Sequence, residues 1–121
     1  MIGMAYRTRT QVFAERAFRV VSDRSEAGGK EWEDYGRFAK SFPALVQSSG
    51  LAQACAFAEA KKMRAILSDL ETVLEKSRDT LVKESRESSL EQYMLLSREV
   101  MAAAGWIKRY VQALSKEDDA E

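Results

Sequence analysis

Apolar positions recur at three- and four-residue steps along nearly the whole chain, which is the period of a helix buried on one side. The clearest case is the stretch 89–115. Tyr93, Leu96, Val100, Ala103, Ala104, Ile107, Val111 and Leu114 share one face, and Arg98, Gly105, Lys108, Arg109 and Gln112 cluster roughly opposite. A first helix is expected over about 8–24, with Phe13, Ala17, Val20 and Val21 inward and Glu15, Arg16, Arg19 and Asp23 outward. The polar, glycine-containing stretch 25–30 reads as a loop.

A second helix is expected over about 31–41, opened by Glu31, Glu33 and Asp34 where negative charge complements the helix dipole, and closed near Arg37 and Lys40. Pro43, the single proline, has no N–H to give, so a kink or restart is expected there, followed by a short helix ended by Ser48-Ser49-Gly50. From Leu51 a further helix runs to about Arg64 and is open to being continuous with the next. Leu67, Leu70, Leu74 and Leu81 then recur at heptad-like steps over 66–82. The polar run 84–89 reads as a turn. No strand-length alternation bounded by turn residues is present, so the fold class is all-α: a compact bundle of about five to six helices, with residues 1–116 as one domain and 117–121 as an acidic, frayed tail.

Composition narrows the function. The 121 residues, 45% apolar and 31% charged, suit one globular domain. The longest apolar runs fall far short of the roughly 20 residues of a membrane span, and Arg7 and Arg9 stand where a signal peptide would turn apolar, so a cytoplasmic protein without a membrane partner is expected. Nineteen basic residues balance nineteen acidic ones, but unevenly: residues 6–24 hold five arginines against Glu15 and Asp23, while 66–91 hold four bases against seven acids. A neutral chain can thus carry a basic face.

The absence of histidine excludes Ser-His and Cys-His nucleophile pairs and histidine-containing zinc sites, and one cysteine, Cys55, cannot build a thiolate site. Set among Ala52, Ala54 and Ala56, Cys55 reads as a buried structural thiol. Gly28-Gly29 lacks the spacing of a phosphate loop. Glu31, Asp34 and Tyr35 could meet on one turn to hold magnesium, as a metal-dependent nuclease would require, but acids in a first helical turn are ordinary capping chemistry. The expectation is no catalysis, cofactor, metal or small-molecule substrate.

Surface features remain. Arg98 and Arg109 lie eleven residues apart, about three turns, and so return to one azimuth beside Lys108. Arg37 with Lys40, and the run Lys61-Lys62 with Arg64, form two further basic groups. Trp32, Trp106, Tyr6, Tyr35 and Tyr110 could offer stacking surfaces to bases, though aromatics at helical spacing are more often core. Met94 and Met101, or the Leu67/Leu70/Leu74/Leu81 seam, could instead dock a protein partner, making the chain a helical adaptor with no nucleic-acid contact.

Two segments resemble a known family. Tyr35, Arg37, Lys40, Pro43, Gly50-Leu51 and Gln53-Ala54-Cys55-Ala56-Phe57, running on to Lys61, are similar to a signature of the small-subunit family of the Cmr (type III-B) CRISPR RNA-guided effector complex. Ala103-Ala104-Gly105-Trp106-Ile107-Lys108-Arg109 is similar to that family's C-terminal segment. The resemblance covers roughly residues 10–62 and 93–114; Met63 to Ser89 matches little, and Ser41-Phe42 stand where the family often has Lys-Leu. It implies a helical, non-catalytic subunit stacked in several copies beside the subunits that carry the guide RNA, lining the target RNA path. Its partners would be other Cmr subunits, further copies of itself, and the guide–target duplex met through phosphates. Matching motif positions and helix azimuth give Arg37, Lys40, Lys61, Arg98, Lys108 and Arg109 as the expected RNA-binding residues.

Overall fold

Thr8 opens the first helix by accepting the Gln11 N–H, while the Gln11 side chain accepts the Thr8 N–H, a reciprocal capping box. The computed structural model describes residues 7–115, which form six helices: α1 Arg9–Ala27, α2 Gly29–Ser49, α3 Leu51–Ala60, α4 Arg64–Leu74, α5 Leu81–Glu87 and α6 Leu90–Leu114. The expected tail 117–121 and Tyr6 lie outside the described residues.

At 25 residues α6 spans about 37 Å and forms the spine. Helix α1 runs parallel to it, since Arg9 pairs with Glu99 and Phe18 meets Tyr110. Helix α2 runs antiparallel, with Gly36 against Val111 and Gly50 against Tyr93. Helix α4 packs on α1 and α6, and α3 and α5 complete the bundle. Leu96, Val100, Ala103, Ala104, Ile107 and Val111 of α6 are buried, as the periodicity predicts, with Tyr93 and Leu114 half-buried at its ends.

Four boundaries differ from the sequence expectation. The loop over 25–30 contracts to Gly28 alone, whose positive φ of 65° turns α1 directly into α2. Pro43 does not restart a helix: α2 passes through it. The missing bond to the Ala39 carbonyl costs about 3 kcal/mol, but Ala39, Phe42 and Val46 around it are buried, and two large side chains repay about 1.5–3 kcal/mol each. Helix α3 stops at Ala60 and is not continuous with α4, because the Met63 N–H reaches back to the Ala58 carbonyl and Lys62 takes φ 59°. The leucine run 66–82 is broken by a turn over 75–80, and part of 84–89 is helical, within α5. That turn is held by a side chain: the buried Glu71 carboxylate accepts the N–H groups of Asp79 at 3.1 Å and Leu81 at 3.0 Å. The expected break at Ser48-Ser49-Gly50 is present, with Gly50 at φ 89°.

A buried polar knot joins α1, α2 and α4. Arg24 donates from Nε and Nη2 to the two oxygens of Asp69, each at 3.0 Å, and the Tyr35 hydroxyl donates to Asp69 Oδ2 at 2.6 Å. Hydrogen bonding to Asp69 raises the Arg24 pKa, and burial, reinforced by the Asp69 charge, pushes the Tyr35 hydroxyl well above its ordinary value.

Candidate nucleic-acid interface

The five arginines of residues 6–24 do not make a free basic face. Arg7 and Arg19 both pair with Glu15, Arg9 with Glu99, Arg16 with Glu75, and Arg24 with Asp69. Arg16 also donates to the Val73 carbonyl, so these cations mostly pin α1 to its neighbours.

Against that background the outward face of α6 stands apart. Taking 100° per residue, Arg98, Gly105 and Arg109 fall within about 20° of one line, flanked by Met94 and Gln112, with Met101 and Lys108 to one side and Leu95, Ala102 and Trp106 to the other. Arg98 and Arg109 are exposed, Lys108 is half-buried, and none of the three has an ion pair among the described residues. A Cβ added at Gly105 would meet no atom within 4 Å, so the helix backbone between the charges lies open to solvent.

Arg37 and Lys40 lie near the C-terminal end of α6 but beside its inward side, not on this outward face. They line a cavity of about 430 Å³ together with Trp32 and the last turn of α6, Val111, Leu114 and Ser115. Arg37 is exposed and bonded to Asp34 at 3.0 Å. Lys61 is elsewhere: α3 meets α6 at its first turn, where the Ala52 N–H bonds the Tyr93 hydroxyl, and Lys61 lies past the helix's other end, roughly 15 Å away, with its ammonium over the Phe57 ring. The six expected residues thus resolve into the α6 stripe, a separate pair near the C-terminal end of α6, and Lys61 by itself.

The magnesium constellation does not assemble. Asp34 is committed to Lys30 and Arg37, which hold its carboxyl below the usual range, while Tyr35 turns inward to Asp69. The leucine seam is not a docking face either: Leu67, Leu70 and Leu81 are buried and Leu74 packs against them, because the turn at 75–80 folds the run into the core. Met101 packs on the core, leaving Met94 exposed beside Leu90 and Leu95 at the start of α6. Cys55 is buried as expected, and burial pushes its thiol up to about 11. Sequence reasoning missed Arg9 and Phe13, which border a hollow beside Trp106; the one hint was the small residue Ala102 a turn before the tryptophan.

The structure defines a small all-helical domain in which Asp69, Glu71 and Glu99 tie helices and turns together, and in which Arg98 and Arg109 are exposed on the outside of the longest helix without ion pairs among the described residues. The chain belongs to the Cmr5 family: the family model described as CRISPR-associated protein (Cas_Cmr5) matches residues 9–114. It is 39% identical over 115 residues to the CRISPR system Cmr subunit Cmr5 of Thermus thermophilus, an alignment covering 92% of this chain and 99% of that protein. The fold superposes on the crystal structure of a CRISPR-associated Cmr5 family protein from the same organism with a TM-score of 0.81 at 40% identity, over 91% of this chain and 99% of that one. No helix among the described residues is long and apolar enough to cross a membrane.

Proposed function

We propose that the chain is a non-catalytic subunit of a cytoplasmic Cmr effector complex, several copies of which stack along the subunits that carry the guide RNA and line the path of the target RNA. The observation that carries this reading is the α6 stripe: Arg98, Lys108 and Arg109 on one outward face, without ion pairs among the described residues, in a chain whose other arginines are mostly paired. Phosphates meet such a stripe without regard to sequence, and base pairing with the guide supplies the sequence reading. Arg37 and Lys40 would offer a separate phosphate contact near the C-terminal end of α6, where a phosphate would compete with Asp34 for Arg37. Lys61 would serve a separate contact.

The non-catalytic reading has its own support. Asp69 and Glu71, the two buried carboxylates among the described residues, accept hydrogen bonds that fix helix positions, and burial raises the Cys55 thiol pKa to about 11.

A second reading, a protein-only adaptor, is favoured by Leu90, Met94 and Leu95, which are 74%, 55% and 50% exposed on the first half of α6 and form the one run of large apolar side chains left open there. The two readings separate on affinity purification of the assembled complex. RNA contact requires nucleic acid to be retained at low salt and released at high salt while protein partners stay attached; partners without any salt-releasable RNA would favour the adaptor.

A further inference from the structure

Beside the basic stripe, Trp106 and Tyr110 stack at 5.7 Å between centroids and 24° between planes, and Phe18 closes the row edge-on to Tyr110. Helical side chains lean toward the N-terminus, so Tyr110 lies over the turn that carries Trp106. Among the described residues no second ring stacks on the indole, although Phe13 lies nearby. Ala102, one turn back, is small and exposed, and a hollow of about 200 Å³ opens there, bordered by Arg9, Phe13, Leu95, Arg98 and Trp106. Arg9, also in the lining, pairs with Glu99 and lies over the Phe13 ring, 5.3 Å from its guanidinium, whereas Arg98 has no ion pair among the described residues. The volume is below the roughly 300–1,000 Å³ of a pocket for a drug-sized ligand, so it suits one ring system.

We infer that this hollow receives an unpaired nucleobase of single-stranded RNA, which continues the Tyr110–Trp106 stack as a third ring while Arg98 holds the adjoining phosphate. Stacking explains what charge alone does not: an aromatic row beside the cationic line, with a small hollow at its N-terminal end. The inference rests on reading the α6 stripe as an RNA contact, and it adds that the subunit holds bases as well as phosphates, without selecting their identity, because every base has a π-face.

The test uses the purified full-length chain with a fluorescently labelled oligouridylate and an abasic ribose-phosphate oligomer of equal length, compared by anisotropy titration. The uridylate should bind roughly 5- to 150-fold tighter than the abasic strand, the factor one base stack supplies. Filling the hollow with Ala102→Leu, a change at an exposed position, should remove that preference while leaving abasic binding in place; Trp106→Leu should do the same with unchanged helical circular dichroism. Arg98→Ala should weaken both oligomers alike. Equal affinity of the wild type for the two strands would overturn the base site and leave the phosphate reading standing. A preference that survives Ala102→Leu would place the base elsewhere and overturn the hollow as its site. Failure to bind either strand would overturn both readings together.

Discussion

Replacing Asp69 by alanine tests how the three-helix knot holds the fold. The substitution removes the acceptor of two guanidinium bonds at 3.0 Å and of one phenol bond at 2.6 Å. Tyr35 is 2% exposed, so its hydroxyl would be stranded, which costs about 1–3 kcal/mol. Arg24, with 36% of its side chain exposed, can turn to water and recover part of its solvation. Removing one partner of a buried pair costs about 3–5 kcal/mol, and the partial exposure of Arg24 places this case near the lower figure, about 3 kcal/mol. In urea, with a slope near 2 kcal/mol per molar, the midpoint should fall by about 1.5 M. The assay is equilibrium unfolding followed by far-ultraviolet circular dichroism for wild type, Asp69→Ala, Arg24→Ala and the double variant. Arg24→Ala should also be costly, since it leaves the carboxylate with Tyr35 alone, and the double variant should lose less than the sum by more than about 0.5 kcal/mol. A loss below about 1 kcal/mol for Asp69→Ala, or strict additivity, would refute the reasoning.

Tyr35 also sets an alkaline limit. Its folded pKa is raised above the unfolded value near 10, so the folded state keeps its proton while the unfolded chain loses it, and stability should fall by about 1.4 kcal/mol per pH unit above pH 10. Tyr35→Phe should be less stable at neutral pH and lack this component at high pH; parallel curves for the two proteins would contradict it. Pro43→Ala restores an N–H opposite the Ala39 carbonyl within α2 and should stabilise the chain by about 1–2 kcal/mol, after the entropy proline removes from the unfolded state is allowed for. Measured destabilisation would show that the proline ring packs better than its missing bond costs.

What the sequence displays plainly is what local period determines. The buried face of α6 follows from its spacing, and Gly50 ends α2 because its positive φ suits the residue type. Pro43 misleads because a local rule is outweighed by the burial of Phe42 and Val46, a tertiary quantity. The turn over 75–80 contains no glycine or proline; it is made by Glu75 and Asp79 at positive φ and by Glu71 reaching backbone eight and ten residues ahead. Asp69, placed between Leu67 and Leu70, is the charged residue inside an apolar stripe that signals a buried partner, but the identity of Arg24 as that partner depends on how α1 lies on α4. Among the expected site residues, Arg98 and Arg109 both fall in the continuous helix α6 and are both exposed. That Arg9, Arg16 and Arg24 would be neutralised by Glu99, Glu75 and Asp69 required the packing of α1 on its neighbours.

The central claim, that α6 carries an RNA-contacting stripe, is tested most directly by the salt dependence of target RNA binding in the assembled effector complex with Arg98, Lys108 and Arg109 all replaced by alanine. Removing one cation–phosphate pair should lower the slope of log affinity against log salt by about 0.7–0.9 per copy. Binding that weakens with a slope shallower by about 2 or more, from a complex still fully assembled, is the expected result. An unchanged affinity and an unchanged slope would contradict it.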